Sequence, residues 1–209
     1  MAYEHLTSNC RRRGFIRRGF GFVRPGGPHP SLQDNHEFVV TQPGTLDNLG
    51  PIHIACVYDP AKSYMGLYTN GVLAASRADL GSFYSLTNVW NVHSWLGQSL
   101  YSADAFYNGT LDEFRIYNAP LDALQIAGSY VAGPDTVGTD PGAVSALNLT
   151  VKTPLVSGAT GTVAATADFA KIKGVNLADV SGVTFSSSDT NILTVTAGEL
   201  CETRSGASV

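Results

Sequence analysis

Short runs of alternating apolar and polar residues, each followed by turn residues, fill the middle of this chain. Residues 52–58 alternate in this way, and residues 65–69 and 72–76 flank the dipeptide Asn70-Gly71. Asn-Gly between two strand-like runs predicts a tight hairpin, because both central residues of a type I′ turn need a positive φ. Further strands are predicted at 19–23, 37–41, 94–99 and 109–117. Residues 120–130 change to helical spacing, with Asp122 as a candidate N-cap.

The pattern changes after residue 133. Residues 134–145 are rich in Gly, Pro, Asp and Thr and have no periodicity, which predicts a linker between two domains. Residues 146–209 contain no Trp or Tyr and are rich in Val, Thr, Ala, Ser and Gly. Alternation at 147–151, 162–169, 183–187 and 192–196 predicts a second, small β-sandwich.

Charge divides the chain unevenly. Residues 1–30 contain six arginines and one acid, whereas the remaining residues contain 7 bases and 16 acids, or about −9 within a net charge of −4. An acidic body disfavours nucleic acid as a partner, because such binding depends on neutralising phosphates. An RNA-binding Arg/Gly tail at residues 11–24 is the alternative interpretation of the basic segment. No apolar run reaches 18 residues, so we predict no membrane insertion, and no secretion signal is recognisable.

Five motifs in the first module resemble the LamG-like, concanavalin A-like jelly-roll family. They are HIACVYD at 53–59, LYTNGVL at 67–73, WLGQS at 95–99, FYNGTLDEFRIY at 106–117 and LDALQIAGSY at 121–130. The resemblance implies a jelly-roll domain at 37–133 that lacks the family's N-terminal strands. It would follow an irregular basic leader, residues 1–36, with at most one strand. Gly50-Pro51-Ile52 stands where the family usually has a Trp two residues before the His.

The second module resembles a bacterial immunoglobulin-like domain. The matching segments are LNLTV at 147–151, VSGATGTV at 156–163, FSSSD at 185–189 and ILTV at 192–195. This resemblance implies that residues 146–209 end inside the last strand of that domain. The predicted fold is therefore all-β: a partial antiparallel jelly-roll sandwich plus a small immunoglobulin-like β-sandwich. We expect a fragment of a larger bacterial protein, extracellular or on the cell surface, with flanking domains.

Few residues offer chemistry. Cys10, Cys56 and Cys201 are odd in number and widely spaced, and Cys56 is predicted to be a small buried hydrophobic residue. His53 is predicted to be half-buried and structural. Glu113 could pair with Arg115 or act as a glycosidase carboxylate, but Asp112 points to the other face of the strand, so no second acid is placed across a sugar. We therefore predict that the chain is not an enzyme.

Two binding hypotheses remain. The family resemblance implies a structural Ca²⁺ held in part by Asp112, and a salt bridge or a capped turn at that residue is the alternative. No other cofactor is expected. Aromatic side chains in the less regular stretches could form a sugar-stacking platform, with core packing as the competing explanation. These candidates are Tyr84, Trp90, Tyr101 and Tyr107.

The function predicted from these features is a non-catalytic module for carbohydrate or surface-ligand binding or adhesion, with a glycan or cell-surface ligand as partner. The alternative is an accessory tail of a secreted carbohydrate-active enzyme whose catalytic domain lies elsewhere. A fold by itself does not establish either function.

Overall fold

The structure, a computed structural model, describes about two thirds of the chain. The described residues are 2–8, 19–22, 38–44, 46, 50–79, 96–97, 106–107, 109–151, 160–178, 180–190, 193–196 and 200–203. They form two compact units, Met1–Leu121 and Asp122–Val209. The boundary precedes the predicted linker, so the helix is counted with the second unit. In the described part of the chain, no helix is long and apolar enough to cross a membrane.

The first unit is built on a five-stranded antiparallel sheet. Its strands are β1 (Ala2–Ser8), β4 (Ile52–Asp59), β5 (Tyr64–Thr69), β6 (Val72–Arg77) and β7 (Thr110–Tyr117), in the order β6-β5-β4-β1-β7. A separate two-stranded sheet pairs β2 (Gly19–Phe22) with β3 (Phe38–Thr41). The strands predicted at 19–23, 37–41, 52–58, 65–69, 72–76 and 109–117 are all confirmed. Of the strand predicted at 94–99, only residues 96–97 are described, and they form a bend.

The N-terminal segment differs from the expected irregular leader with at most one strand. Residues 1–36 contain both β1 and β2, and β1 lies inside the large sheet between β4 and β7. Residues 2–8 were not predicted as a strand, because they mix polar and apolar residues without clear alternation. This strand is stabilised by pairing with β4 and β7, which are distant in sequence. Residues 23–36 lie outside the described residues.

The Asn70-Gly71 hairpin forms as predicted. Asn70 and Gly71 have φ values of 50° and 80°, as a type I′ turn requires. The turn is also fixed to β4: the Asn70 backbone N–H donates to the His53 carbonyl at 2.8 Å, and the His53 N–H donates to Asn70 Oδ1 at 3.0 Å. This exchange extends the β4–β5 ladder by one position and sets its register.

One face of the β4–β5–β6 region forms a hydrophobic cluster with β3. Val40, Tyr58, Met65 and Leu67 are its buried members, and Cys56 packs against them with Ile54 and Ala75. The Cys56 side chain is partly buried and packs in this cluster, which agrees with its predicted role as a small hydrophobic residue. This burial raises the pKa of the thiol to about 12. The opposite face of β4 is also buried, with Ala55 and Val57 at 0% and 2% exposure. β4 is therefore a central strand that is covered on both faces.

The second unit combines one helix with an antiparallel sheet. Its strands are β8 (Val144–Val151), β9 (Thr160–Phe169), β10 (Val175–Asn176), β11 (Leu193–Thr196) and β12 (Leu200–Thr203), ordered β10-β9-β12-β11 with β8 also paired to β9. The predicted strand at 183–187 is wrong. These residues belong to no strand, and the Ser187 hydroxyl instead donates to the Asp189 carbonyl at 3.0 Å and accepts from its N–H. Local hydrogen bonding by serine competes with ladder formation.

Helix α1 (Ala123–Ala132) begins at a capping box. Asp122 Oδ1 accepts from the Gln125 N–H at 2.9 Å, and Gln125 Oε1 accepts from the Asp122 N–H at 2.9 Å. Asp122 thus caps the helix as predicted. Ile126 and Ala127 are fully buried, and the helix contacts β10. The helix ends at Gly133, whose φ is 79°.

Candidate functional site

The two faces of strand β7 have an unusual distribution of side chains. Glu113, Arg115 and Tyr117 lie on the partly buried face, whereas Phe114 and Ile116 lie on the exposed face. In most half-buried strands the apolar row faces the interior and the charged row faces water. The inversion needs a physical reason on each face.

On the partly buried face, the charges neutralise each other. Arg115 Nε and Nη2 donate to the two carboxylate oxygens of Glu113, each at 2.7 Å, in a bidentate pair. The side chains of Arg115 and Glu113 are only 11% and 26% exposed. Desolvation by itself would lower the pKa of Arg115, but its hydrogen bonds to Glu113 and Tyr117 outweigh that effect and raise it. The predicted Glu113–Arg115 pair is confirmed, although it is more sheltered than a surface pair.

On the exposed face, β7 presents a row of three side chains with different chemistry, which we call the β7 row: Asp112, Phe114 and Ile116. Phe114 is 39% exposed and Ile116 is 58% exposed, and Asp112 is also exposed. Residues two apart on a strand are separated by about 6.6 Å, so the row extends for about 13 Å. An aromatic face, an aliphatic side chain and a carboxylate are thus held in line on one rigid strand.

A second exposed apolar position lies just before β7. The Tyr107 N–H donates to the Gly97 carbonyl at 2.8 Å, which joins residues 96–97 to residues 106–107. Leu96 and Phe106, on either side of this connection, are 53% and 72% exposed. The Tyr107 ring is half-buried and lies over Gly109, where an added Cβ would stand 2.8 Å from Tyr107 Cε1. Glycine at 109 therefore makes room for the tyrosine ring at the entrance to β7.

The buried face of β4 and β5 contains a polar side chain, Asp59, that already accepts hydrogen bonds from the backbone. Asp59 Oδ1 accepts from the backbone N–H groups of Ala61 and Lys62 at 3.0 and 3.3 Å, and this carboxylate therefore caps the turn into β5. His53 is 3% exposed, so it is buried, not half-buried as predicted. The reason is that β4 is covered on both faces. Tyr64 and Tyr68 close over Gly66, where a Cβ would meet both rings at 3.0 Å or less.

The structure tests the sequence-predicted site residues only in part. Tyr84, Trp90 and Tyr101 lie outside the described residues. Tyr107 is half-buried, with the hydroxyl end of its ring next to Gly109, and Asp112 is exposed on β7. The exposed aromatic residues Phe106 and Phe114 were not among the predicted site residues. Alternation shows that Phe114 shares a strand face with Ile116, but it does not tell which face of a strand is covered.

The predicted calcium ligand Asp112 is not part of an acidic cluster in the described part of the chain. There, no group of three or more His, Cys, Asp or Glu side chains could hold a metal ion. Asp112 contributes one carboxylate, and the neighbouring Glu113 is turned to the other face and bound to Arg115. Since Ca²⁺ takes six to eight oxygen ligands, many of them backbone carbonyls, the structural calcium site stays a prediction.

Comparison with known families gives one match. Residues 13–127 match the Laminin_G_3 family, described as the concanavalin A-like lectin/glucanases superfamily. The matched segment includes β2 to β7 and therefore the whole β7 row. Comparisons with curated proteins and with solved structures gave no match.

Proposed function

The chain belongs to the concanavalin A-like lectin/glucanase superfamily, and from this membership we propose that its first unit is a non-catalytic binding module for carbohydrate. The proposal places this module in a larger secreted or cell-surface protein. The single observation that carries it is the β7 row, in which Phe114 and Ile116 face water although charged residues occupy the sheltered face.

Each member of the row matches a part of a sugar. A partly exposed aromatic side chain such as Phe114 offers apolar surface to the C–H face of a pyranose ring, and Ile116 extends that apolar surface. The Asp112 carboxylate accepts hydrogen bonds from hydroxyl groups at the rim of the same ring. A rigid strand fixes the spacing of these groups, so little conformational entropy is lost when the ligand binds.

The arrangement of carboxylates supports binding without catalysis. Glycosidases of the usual kind place two carboxyl groups about 5–10 Å apart on either side of the scissile bond. In this protein Asp112 and Glu113 are adjacent in sequence and lie on opposite faces of β7. Glu113 is moreover held by two of the three guanidinium nitrogens of Arg115, Nε and Nη2. Neither carboxylate is placed to act with the other on one sugar.

The alternative function is an accessory tail of a secreted carbohydrate-active enzyme. It uses the same binding surface and differs only in what the flanking sequence encodes. The reading frame around the chain discriminates between the two. A catalytic domain upstream favours the accessory tail, and further binding or adhesion domains favour the surface module.

A glycan array with the purified chain tests the proposal. We expect binding to a subset of polysaccharides, and we expect Phe114→Ala to weaken it by roughly tenfold, the loss of one ring contact of about 1.4 kcal/mol. Val137→Ala, which also truncates an exposed apolar side chain but in the second unit, is the matched control and should bind like the parent. Binding that survives in both Phe114→Ala and Ile116→Ala would contradict the role of the β7 row.

The calcium prediction is tested on the same protein. If Asp112 helps to hold a structural Ca²⁺, millimolar Ca²⁺ raises the thermal midpoint of the parent and not of Asp112→Asn. An unchanged midpoint of the parent in Ca²⁺ and in chelator contradicts the prediction. The interpretation of residues 11–24 as an RNA-binding tail is tested by deleting them and measuring salt-dependent RNA binding.

A further inference from the structure

Strand β8 of the second unit is exposed over almost its whole length. Every residue from 144 to 150 is exposed, and three of its apolar side chains rank among the most exposed in the described residues. Val144, Leu147 and Leu149 are 53%, 68% and 69% exposed. All three lie on one face, because a bulge between Val144 and Ala146 brings Val144 to the same side as the two leucines.

This face is a continuation of the unit's own core. Leu147 and Leu149 pair with Ala167 and Ala165 of β9, and paired residues point to the same side of a sheet. The two alanines are 1% and 5% exposed, whereas the leucines beside them face water. The helix α1 contacts β10, which pairs with β9 on the other part of the sheet. Burial of this face thus stops between β9 and β8.

The strand also lacks the devices that usually protect a sheet edge. Residues 144–151, VSALNLTV, contain no charged residue, no Pro and no Gly. Natural edge strands are protected by lysines, prolines, short length or a covering element. Among the described residues, β8 pairs with β9 and with no other strand. Its remaining edge can therefore pair with an uncharged, extended segment that places apolar residues at alternate positions.

We propose that this segment is β8 of a second copy of the chain, paired antiparallel about a two-fold axis. β8 is itself such a segment, because it is uncharged and extended and has leucines at alternate positions. The chain has a net charge of −4, but β8 is neutral, so two copies can approach along this edge without bringing like charges together. A two-fold axis perpendicular to the sheet keeps the apolar face of both copies on the same side.

The register follows from matching the leucines. Pairing centred on Asn148 places Leu147 opposite Leu149 of the partner copy, twice by symmetry, and Ala146 opposite Thr150. The four leucines then form one continuous apolar patch on the core face. A ladder of this length is smaller than a standard interface, so we expect a weak dimer with a dissociation constant on the order of micromolar or above.

Sedimentation velocity of the full chain between roughly 1 µM and 1 mM tests the dimer. The sharpest perturbation is Asn148→Lys, because the two substituted residues would stand directly opposite each other, about 5 Å apart. We expect the dissociation constant to rise roughly tenfold at about 0.1 M salt and to recover partly at about 1 M salt.

Thr150→Lys is the matched control, since it adds the same charge on the same exposed strand. In the proposed register the two lysines at 150 are offset by four residues, about 13 Å along the strand, which exceeds the Debye length of about 10 Å at 0.1 M salt. This variant should dimerise nearly as the parent does. Thermal unfolding of both variants shows whether either one fails to fold.

Disulfide trapping tests the register and does not depend on the charge variants. In a Cys10→Ser, Cys201→Ser background, Asn148→Cys should form an intermolecular disulfide under mild oxidation, and Thr150→Cys should not. The proposal is supported by a concentration-dependent dimer with both position effects. It is overturned by a monomer at every concentration, by a dimer that Asn148→Lys leaves unchanged, or by trapping at 150 and not at 148.

Discussion

Helix α1 is in close contact with the segment that follows it, and for this reason we expect a Gly→Ala substitution inside the helix to lower stability, where such a substitution usually raises it. Gly128 lies inside the helix, and a Cβ added there would stand 2.8 Å from Thr139 Cα and closer still to the Asp140 backbone nitrogen. The predicted linker 134–145 is therefore packed against the helix at residues 138–140. At its nearest point the contact is between backbone and backbone, and no flexible side chain can move out of the way.

Gly128→Ala therefore has two opposing effects on the free energy of unfolding. In an unobstructed helix interior, replacing Gly by Ala stabilises a protein by about 0.5–1 kcal/mol, because glycine loses more backbone entropy on folding. Here the methyl group must displace residues 139–140 or the helix, and overpacking of this kind costs about 1–3 kcal/mol. We expect a net loss of about 1–2 kcal/mol, hence a lower midpoint for the second unit.

Gly109→Ala in the first unit is a useful comparison, because an added Cβ would come nearly as close to its neighbours there. Its Cβ would stand 2.8 Å from Tyr107 Cε1 and closer still to the hydroxyl, but the obstacle is the end of a side chain that can rotate. Neither glycine has a positive φ, so backbone strain does not enter. We expect the cost at 109 to be well below that at 128.

Urea unfolding followed by far-UV circular dichroism measures both variants, and hydrogen exchange of peptides from residues 123–140 shows whether the change is local. For Gly128→Ala we expect faster exchange of the α1 amides as well as the lower midpoint. A Gly128→Ala protein that is as stable as the parent, with unchanged exchange in α1, would refute the claim that the helix and residues 138–140 are in backbone contact.

Three further predictions concern ionisable groups in the first unit. Cys56 should resist iodoacetamide at pH 8 in the folded protein and react in urea, as detected by mass spectrometry, because only the thiolate is nucleophilic. The folded pKa of Cys56, about 12, lies above its ordinary value of 9.0. The free energy of unfolding should therefore be full below pH 9 and fall by about 1.4 kcal/mol per pH unit toward pH 12, and Cys56→Ala should reduce that slope. Glu113→Gln should lower the free energy of unfolding by about 1–2 kcal/mol, because it leaves the Arg115 charge sheltered without its counter-charge. Asp79→Asn, which breaks the similar but exposed pair with Arg77, should leave the urea midpoint unchanged; equal effects at 113 and 79 would contradict the role of burial.

Local signals in the sequence predicted the elements of the fold that local physics determines. The Asn70-Gly71 turn requires positive φ at both residues, and Asp122 with Gln125 forms a capping box whose spacing can be read directly from the chain. β1 was missed because it is held by β4 and β7, which are distant in sequence. The strand predicted at 183–187 failed for a related reason: alternation was present, but no described strand pairs with it.

The candidate site was predictable only as far as alternation allows. The sequence shows that Phe114 and Ile116 share one face of a strand and that Glu113 and Arg115 share the other. Which face is covered depends on neighbouring elements, and for β7 the structure shelters the charged face. The charged face accepts burial because its two charges bind each other with two short hydrogen bonds, which offsets part of their desolvation.

Alternation does not show which face of a strand is covered, and this applies to both binding surfaces proposed for this protein. In β7 and in β8, a row of apolar side chains faces water on a strand whose pattern would suit a core: Phe114 and Ile116 in one, Leu147 and Leu149 in the other. The two rows differ in what accompanies them. Asp112 adds a hydrogen-bonding carboxylate to the β7 row, which suits a ligand rich in hydroxyl groups, whereas β8 is neutral throughout, which suits another strand. The presence or absence of a charged side chain therefore distinguishes the two proposed surfaces, and the variants Phe114→Ala and Asn148→Lys should each affect one binding event and leave the other unchanged.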